Sequence, residues 1–281
     1  MKGYEDKWDE LASRYRKYGG VPGKPNDHDG ENFYKLSKIA IEKTGSKNPK
    51  VLLLGATPLV RDYLAKLDAE VTLIDLSKKM IKEMTKMCNH KKKENFVAGN
   101  WLDMPFKNHE FDVVVGDIVL PNVSIKNTDK FLKEVNRVLK PEGAFIQRMF
   151  FIPDDWEYDT TDKVMKRLEE LDDSYDLKGE LHSYMINNSY DEITHETSNK
   201  RIKNLLGAYW KGDRFFHNDK RVEKALNDFN EMWKPFDKKW SAGGKEFLFS
   251  MMEKEFKITK QLKGKGHTFE DTYIILECKP K

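Results

Sequence analysis

Between residues 47 and 151 the sequence alternates short apolar runs with longer segments of helical pattern. The runs are VLLLG at 51–55, VTLID at 71–75, NFVAG at 95–99, FDVVVGD at 111–117 and AFIQRMFF at 144–151. Parallel strands are apolar throughout because helices cover both faces of their sheet, and each crossover between them must be long enough to hold a helix. The pattern therefore predicts a doubly wound α/β sheet.

Two connecting helices can be placed from their end signals. Ser77 is a suitable N-cap for a helix that we expect to run to Lys86. A second helix is expected from Thr128 to Leu139, where LKPEG combines a proline that cannot continue the helix with a glycine that permits a turn.

The flanking segments differ in character from this core. Residues 1–46 contain WDELASRYRKY and then GGVPGKPNDHDG, which predicts an N-terminal helical cap or lid. Residues 152–250 carry amphipathic patterns rich in Trp, Tyr and Phe, and we expect an all-helical insertion that covers the substrate. Residues 251–281 return to strand patterns, FKITKQL and TYIILECK, so this pair is expected to complete a seven-stranded sheet with core residues 47–151.

Charge and cysteine content argue against a nucleic-acid-binding surface, a cysteine metal site and a disulfide framework. Fifty Lys and Arg against 47 Asp and Glu leave a net charge of +3, too small to indicate a nucleic-acid surface. Cys88 and Cys278 show neither metal-ligand spacing nor a disulfide framework, which favours a reducing compartment. Since no signal peptide and no run of about 18 apolar residues is found, we expect a soluble, cytoplasmic protein with no membrane span and a small-molecule substrate. The sequence leaves the oligomeric state open.

The first predicted strand ends in the turn Gly55-Ala56-Thr57-Pro58. A glycine turn lets a ligand approach the backbone, and the following helix N-terminus offers N–H donors. Thr57 suits the N-cap of that helix and Pro58 its first position. Asp75 closes the second strand about 20 residues later, where a carboxylate can accept hydrogen bonds from ribose hydroxyls. A helix cap is the alternative role for this carboxylate.

In this combination, residues 47–151 resemble a class I, Rossmann-like S-adenosylmethionine-dependent methyltransferase of the broad group that includes small-molecule and quinone-type enzymes. The matching segments occur in the family's order: VLLLGATP, VTLIDLS, FVAGNWLDMPF, FDVVVGDIVLPNV and FLKEVNRVLKPEGAF. Two features depart from the family pattern. Ala-Thr-Pro-Leu replaces the Gly-rich turn, and Leu53 stands where an acidic residue is often found. The sequence fits a variant subgroup with a GxTP first motif.

The resemblance implies S-adenosylmethionine as cofactor, with S-adenosylhomocysteine as product, and it implies roles for particular residues. The methionine part would be bordered by Gly55, Ala56, Thr57 and Pro58. The other contacts would come from Asp75 and Leu76 at the ribose, from Asn100, Trp101 and Leu102 at the adenine, and from Asp117 near the sulfonium. The Asn100 carbonyl can accept a hydrogen bond from the adenine amino group.

Methyl transfer from a sulfonium is an in-line displacement that needs a base only when the nucleophile must lose a proton. Asp117 is the candidate catalytic base, and a cofactor-holding or structural carboxylate is its alternative role. The insertion adds three histidines that could act as a base or be structural: His182, His195 and His217. Asp117 with Asp154 and Asp155 also bears a faint resemblance to a metal-dependent catechol methyltransferase, although we predict no metal.

Aromatic residues recur near helical spacing in the N-terminal segment, and we expect them to line the substrate pocket: Tyr4, Trp8, Tyr15 and Tyr18. An enclosed pocket favours methyl transfer to an O or N nucleophile of a small or medium-sized substrate. The alternatives are an RNA or protein methyltransferase and a non-catalytic S-adenosylmethionine-binding protein. Asp117-Ile118-Val119-Leu120 replaces an Asn-Pro-Pro-Tyr type motif after the fourth strand, which counts against methylation of base amino groups.

Overall fold

The computed structural model describes residues 11, 14–90, 92–234 and 237–281. Its strands, in chain order, are β1 (Lys50–Leu54), β2 (Glu70–Asp75), β3 (Asn95–Ala98), β4 (Phe111–Asp117), β5 (Leu139–Phe150), β6 (Glu196–Ser198), β7 (Trp210–Lys211), β8 (Arg214–Phe215), β9 (Lys239–Ser241), β10 (Phe256–Lys263) and β11 (Tyr273–Pro280). The labelled helices are α1 (Asp27–Thr44), α2 (Pro58–Leu64), α3 (Lys78–Thr85), α4 (Ile125–Val138), α5 (Thr161–Glu170), α6 (Leu177–Asn188), α7 (Asn199–Leu205), α8 (Lys220–Trp233) and α9 (Lys245–Met252). Residues 14–18 are also helical.

A seven-stranded sheet of order β3-β2-β1-β4-β5-β11-β10 forms the centre of the molecule. The strands β1 to β5 pair in parallel, whereas β11 runs antiparallel to both β5 and β10. The predicted doubly wound, seven-stranded α/β fold is thereby confirmed, including the terminal strand pair at one edge. Because β1, β2, β4 and β5 are parallel, the residues that follow them meet at one edge of the sheet.

Both faces of the sheet are buried along its central strands β1, β2 and β4, as their apolar sequences require. Val51 and Leu53 of β1 belong to one hydrophobic cluster, which also contains Phe33 of α1. Leu52 and Leu54 belong to a second cluster on the opposite face, together with residues of α4. Alternate residues of one strand therefore serve two cores. Within the described part of the chain, no helix is both long and apolar enough to cross a membrane.

Of the two helices placed from their end signals, the first begins where the sequence predicts and the second does not. Helix α3 begins after Ser77, whose hydroxyl accepts a hydrogen bond from the Met80 N–H at 2.8 Å, as predicted. Helix α4 begins at Ile125, ahead of the predicted Thr128, and ends at Val138. The expected turn at LKPEG is instead the start of β5, with Leu139 paired to Phe111. The reason is that a residue before proline prefers an extended backbone, so Lys140 continues a strand here.

Residues 152–250 contain helices α5 to α9 together with two small antiparallel sheets, β6 with β9 and β7 with β8. The expectation of an all-helical insertion did not include these strands. A strand of two or three residues is too short to show an alternation of apolar and polar side chains. Helix α8 has the amphipathic pattern that the sequence indicates. It buries Val222, Leu226, Phe229 and Trp233, which share one face.

Candidate functional site

The carboxyl ends of β1, β2 and β4 open onto a cavity of about 540 Å³. Nine of the ten predicted cofactor residues line one side of it: Gly55, Ala56, Thr57, Asp75, Leu76, Asn100, Trp101, Leu102 and Asp117. Pro58 is buried as the first residue of α2 and is not among the lining residues. Of the predicted substrate residues, Tyr15 and Tyr18 line the cavity, whereas Tyr4 and Trp8 lie outside the described residues.

The turn after β1 requires glycine at its first position. Gly55 has φ of 94°, and its N–H donates to the Ile74 carbonyl at 2.8 Å. A Cβ at this position would stand 3.7 Å from the Trp101 ring and 3.9 Å from Asp75 Oδ2. The positive φ and the bare Cα together leave an approach to the backbone of the turn. Thr57 does occupy the N-cap position of α2, but its hydroxyl makes no cap bond and instead acts on Asp117, where it lowers the pKa of the carboxyl.

Asp75 accepts a hydrogen bond from the protein backbone and also lines the cavity. Its Oδ1 accepts a hydrogen bond from the Ser77 N–H at 2.8 Å, which fixes the side chain at the start of α3. Oδ2 points toward Gly55, as the 3.9 Å distance to a Cβ built there indicates. The helix-cap role and the ligand role that the sequence leaves open are thus compatible in one carboxylate.

The loop after β3 is held by its own side chains. Trp101 Nε1 donates to the Ile74 carbonyl at 3.0 Å, which sets the indole beside the glycine turn. Asn100 Oδ1 accepts the Leu102 N–H at 3.0 Å. These contacts hold the loop at the edge of the cavity, which Asn100 and Trp101 both line.

Asp117, the candidate base, is half of a buried ion pair. Its Oδ1 accepts a hydrogen bond from Arg148 Nε at 2.7 Å, and the two side chains are 4% and 1% exposed. The two residues are register partners on β4 and β5. Burial raises the pKa of Asp117, while the Arg148 guanidinium opposes that shift. A carboxylate in such a pair is better placed to orient a charged neighbour than to carry a proton away from a substrate.

Arg148 also ties the N-terminal segment to the sheet. Its Nη1 donates to the Pro22 carbonyl at 2.7 Å and pairs with Asp29 at 3.3 Å, and its Nη2 donates to the Gly23 carbonyl at 3.2 Å. We did not predict this residue from the sequence. The available signal was a lone charged residue inside the otherwise apolar run AFIQRMFF.

The far side of the cavity is aromatic and comes from residues 152–250. His182 of α6 lies with its ring centroid 5.5 Å from Phe229, 5.5 Å from Trp233 and 5.2 Å from Trp240. Burial lowers the pKa of His182 to about 4, so the imidazole is neutral at physiological pH. Of the three histidines that the sequence offers as bases, His182 is the one that lines the cavity.

The other two candidate histidines are engaged elsewhere. His195 stacks on Phe247 with centroids 4.0 Å apart and contacts the Tyr190 hydroxyl at 2.9 Å. His217 lies 3.6 Å from Glu169. Neither lines the cavity.

The carboxylates of the metal-dependent alternative are not brought together. Asp154 and Asp155 do not line the cavity that Asp117 borders. Among the described residues, the His, Cys, Asp and Glu side chains close enough to hold one ion are Asp62, Cys88 and His90, and none of them lines the cavity.

Comparison with known proteins agrees with this geometry. Residues 54–147 match the methyltransferase domain family. Over 77 residues the chain is 35% identical to a demethylmenaquinone methyltransferase from Staphylococcus haemolyticus (strain JCSC1435), a match that covers 27% of this chain and only 31% of that protein.

Solved structures show the same fold at low sequence identity. The CcbJ methyltransferase from Streptomyces caelestis is 14% identical with a TM-score of 0.60, over 98% of this chain and 97% of that one. A Rhodobacter sphaeroides protein, described as a Zn-dependent alcohol dehydrogenase, is 11% identical with a TM-score of 0.59, over 98% and 99% of the two chains. At such identities the solved structures show the fold alone, whereas the match to the methyltransferase domain family indicates the reaction, methyl transfer. Residues 54–147 therefore belong to a class I, Rossmann-like methyltransferase domain, whose cofactor is S-adenosylmethionine.

Proposed function

We propose that this protein transfers the methyl group of S-adenosylmethionine to an O or N nucleophile of a small or medium-sized molecule. The observation that carries the proposal is that one cavity is lined by the predicted cofactor residues on the sheet side and by aromatic side chains on the other. Cofactor and substrate can therefore meet inside a single enclosure.

The polar groups at the sheet edge support one position for the cofactor. Asp75 accepts hydrogen bonds from the ribose, the Asn100 to Leu102 loop borders the adenine, and Gly55 leaves room for the backbone to approach the methionine part. Asp117, fixed by Arg148, would orient the methionine end through its negative charge. The aromatic side chains on the other side of the cavity would then be available to hold the substrate.

The enclosure favours a small substrate over a nucleic-acid duplex or a folded protein. Val21 lies against α6, where a Cβ on Gly179 would clash with the Val21 carbonyl. The Val21 N–H also donates to Asp176 Oδ2 at 3.3 Å. Closure of this kind aligns the nucleophile with the methyl group and excludes water. We propose that residues 152–250 act as the substrate cap, with the N-terminal segment as lid.

Release of S-adenosylhomocysteine tests the proposal directly. The purified protein is incubated with S-adenosylmethionine and, in separate reactions, with a metabolite panel, total RNA and a denatured protein mixture. We expect product release with one or more small molecules and none above background with the polymers. Release with RNA or protein would support the corresponding alternative. Cofactor binding without turnover on any substrate class would support the non-catalytic alternative.

A further inference from the structure

The charged side chains that line the cavity are divided between its two sides. Among the described lining residues, the carboxylates are Asp75 and Asp117, and both stand at the sheet edge. The ammonium groups are those of Lys24 and Lys178, which come from segments that cover the sheet. Lys178 lies four residues before His182 on α6, so these two side chains share one face of that helix. The cavity is therefore acidic where the cofactor is expected and basic beside its aromatic side.

The Lys24 ammonium is in contact with groups that do not neutralise its charge. Its Nζ donates to the Arg16 carbonyl at 3.5 Å and lies 4.7 Å from the centroid of the Tyr15 ring. Burial, together with the Lys178 charge, lowers the pKa of Lys24 to about 8. A partly buried cation beside a second cation is destabilised until an anion binds between them. A bound anion would therefore stabilise the charged form of Lys24.

One carboxylate, that of Asp176, faces both lysines. It lies 3.9 Å from the Lys178 ammonium, and its charge partly opposes the fall in the pKa of Lys24. The same side chain caps α6, where it accepts hydrogen bonds from the Lys178 N–H and the Val21 N–H, each at 3.3 Å. Two ammonium groups against one carboxylate leave a single net positive charge here, which a singly charged anion balances.

The sheet side of the cavity has the opposite sign. Asp117 and Asp29 share the guanidinium of Arg148, so these three groups keep a net negative charge, and Asp75 adds a second one. S-adenosylmethionine has a net positive charge, because its sulfonium and ammonium outweigh its carboxylate. The acidic side therefore suits the cofactor, and the basic side suits a partner of negative charge.

We infer, building on the proposed function, that the methyl acceptor is a small carboxylate, bound through its anionic group by Lys24 and Lys178 with its apolar part against the aromatic side of the cavity. The lysines draw charge from the carboxylate, so another O or N atom of the molecule takes the methyl group. That atom forms a bond to the methyl carbon as the carbon–sulfur bond breaks. The sulfur keeps the electron pair as a neutral thioether, and the proton on the acceptor atom leaves to water. Two fixed ammonium groups orient the acceptor for this displacement.

Binding of matched acids and amides tests the inference without turnover. Benzoate and naphthoate, each with its primary amide, are titrated by calorimetry into the complex of the protein with S-adenosylhomocysteine. We expect at least one acid to bind about 10- to 100-fold more tightly than its amide, because the amide lacks the charge that the lysines bind. Lys178→Met and Lys24→Met should each remove most of this preference. Lys178→Arg keeps the charge and should retain it.

The control is a lysine outside the cavity. Lys163 pairs with Asp159 at 3.7 Å on the surface and does not line the cavity. Lys163→Met should leave the affinities for acid and amide as they are in the wild-type protein. The Lys178 side chain is about a quarter exposed, at 27%, so Lys178→Met is expected to fold even if Lys24→Met does not.

Turnover supplies a second readout. The compounds of the metabolite panel that accept a methyl group should carry a carboxylate. For such a compound, Lys178→Met should raise KM by about tenfold or more with kcat within a few-fold of wild type, and KM for S-adenosylmethionine should not change. Esterifying the carboxylate should raise KM for the wild-type protein by a similar factor and leave Lys178→Met with no further loss.

The cofactor has a carboxylate of its own, and a pair of cofactor analogues separates the two sources. S-adenosylhomocysteine contains the amino-acid group, whereas methylthioadenosine does not. We expect both lysine variants to bind each analogue as the wild-type protein does. A loss of affinity confined to S-adenosylhomocysteine would assign the lysines to the cofactor and overturn the inference.

The inference also fails if no acid binds, if acids bind no more tightly than their amides, or if Lys178→Met keeps the preference. Binding of S-adenosylhomocysteine with methyl transfer to a neutral or cationic compound would leave the proposed function standing while this inference fails. Absence of cofactor binding would instead overturn the proposed function.

Discussion

Asp117 and Arg148 are register partners on adjacent parallel strands, and their side chains form an ion pair of 2.7 Å at the edge of the sheet. The same guanidinium holds the carbonyls of Pro22 and Gly23. One arginine therefore joins Asp117 to the N-terminal segment, whose Gly23 also lines the cavity. This pair disfavours a base role for Asp117, because a proton on the carboxylate would leave the buried Arg148 guanidinium without one of its counter-ions.

Loss of Arg148 should be among the more costly single changes in this chain. Arg148→Met leaves Asp117 and Asp29 buried without their cation, so the free energy of unfolding should fall by about 3–5 kcal/mol. Lys254→Met is the matched control, because Lys254 pairs with Asp129 at 3.0 Å on the surface and should cost less than about 1 kcal/mol. Urea unfolding measures both. A loss of under 1 kcal/mol for Arg148→Met would show that the pair is not structurally important.

Three glycine substitutions separate backbone strain from cofactor contact. Gly207 has ordinary φ and open space around it, so Gly207→Ala should be neutral or slightly stabilising. Gly45, with φ of 62° and equally open space, should lose about 1–2 kcal/mol of stability as alanine. Gly55→Ala should show a similar strain and, unlike the other two, weaken the binding of S-adenosylhomocysteine. Unchanged affinity in Gly55→Ala would mean that the cofactor does not approach this turn.

Asp117→Asn distinguishes cofactor holding from base catalysis. We expect the affinity for S-adenosylmethionine to fall by about 1–3 kcal/mol, since a charged hydrogen bond becomes neutral, with kcat at saturating cofactor within about tenfold of wild type. Asp112→Asn is the control, because Asp112 lies on the same strand at its opposite end and pairs with Lys140 at 2.8 Å. It should lower stability and leave cofactor affinity intact. A kcat loss of about 10²–10⁴-fold with unchanged affinity would restore Asp117 as the base.

The buried imidazole of His182 should make stability depend on pH. Burial lowers its pKa to about 4 in the folded protein, below its ordinary value of 6.5. The unfolded chain therefore binds more protons between these values, so His182 adds stability above pH 6.5 that is lost as the pH falls toward 4. His182→Phe should flatten the stability profile in this window, and exposed His28→Phe should not. Parallel slopes for wild type and His182→Phe would argue against a buried neutral imidazole.

The parts of the fold that were predictable are those encoded by local sequence. Apolar runs gave the strands, and Gly55 and Asp75 could be placed because each ends a strand whose partners follow from the parallel order. The start of β5 at Leu139 was missed because the proline and glycine that follow are turn signals as well as permitted strand-edge residues.

The opposite side of the cavity could not be predicted, since it depends on contacts between distant segments. Phe229 and Trp240 contact His182 from a helix and a strand far along the chain, and no spacing in the sequence indicates that contact. Arg148 pairs with Asp29 across more than a hundred residues for the same reason. Sequence periodicity reports the face that a residue occupies and not the partner that it finds there.

Calorimetric titration of the protein with S-adenosylhomocysteine tests whether the cofactor binds in this cavity. We expect one binding site per chain, weakened by about 1–3 kcal/mol in Asp75→Ala, because ribose hydrogen bonds to a carboxylate are lost. Glu70→Ala, at the other end of the same strand, should bind as wild type does. No binding by the wild-type protein, or equal affinity in wild type and Asp75→Ala, would contradict the placement of the cofactor in this cavity.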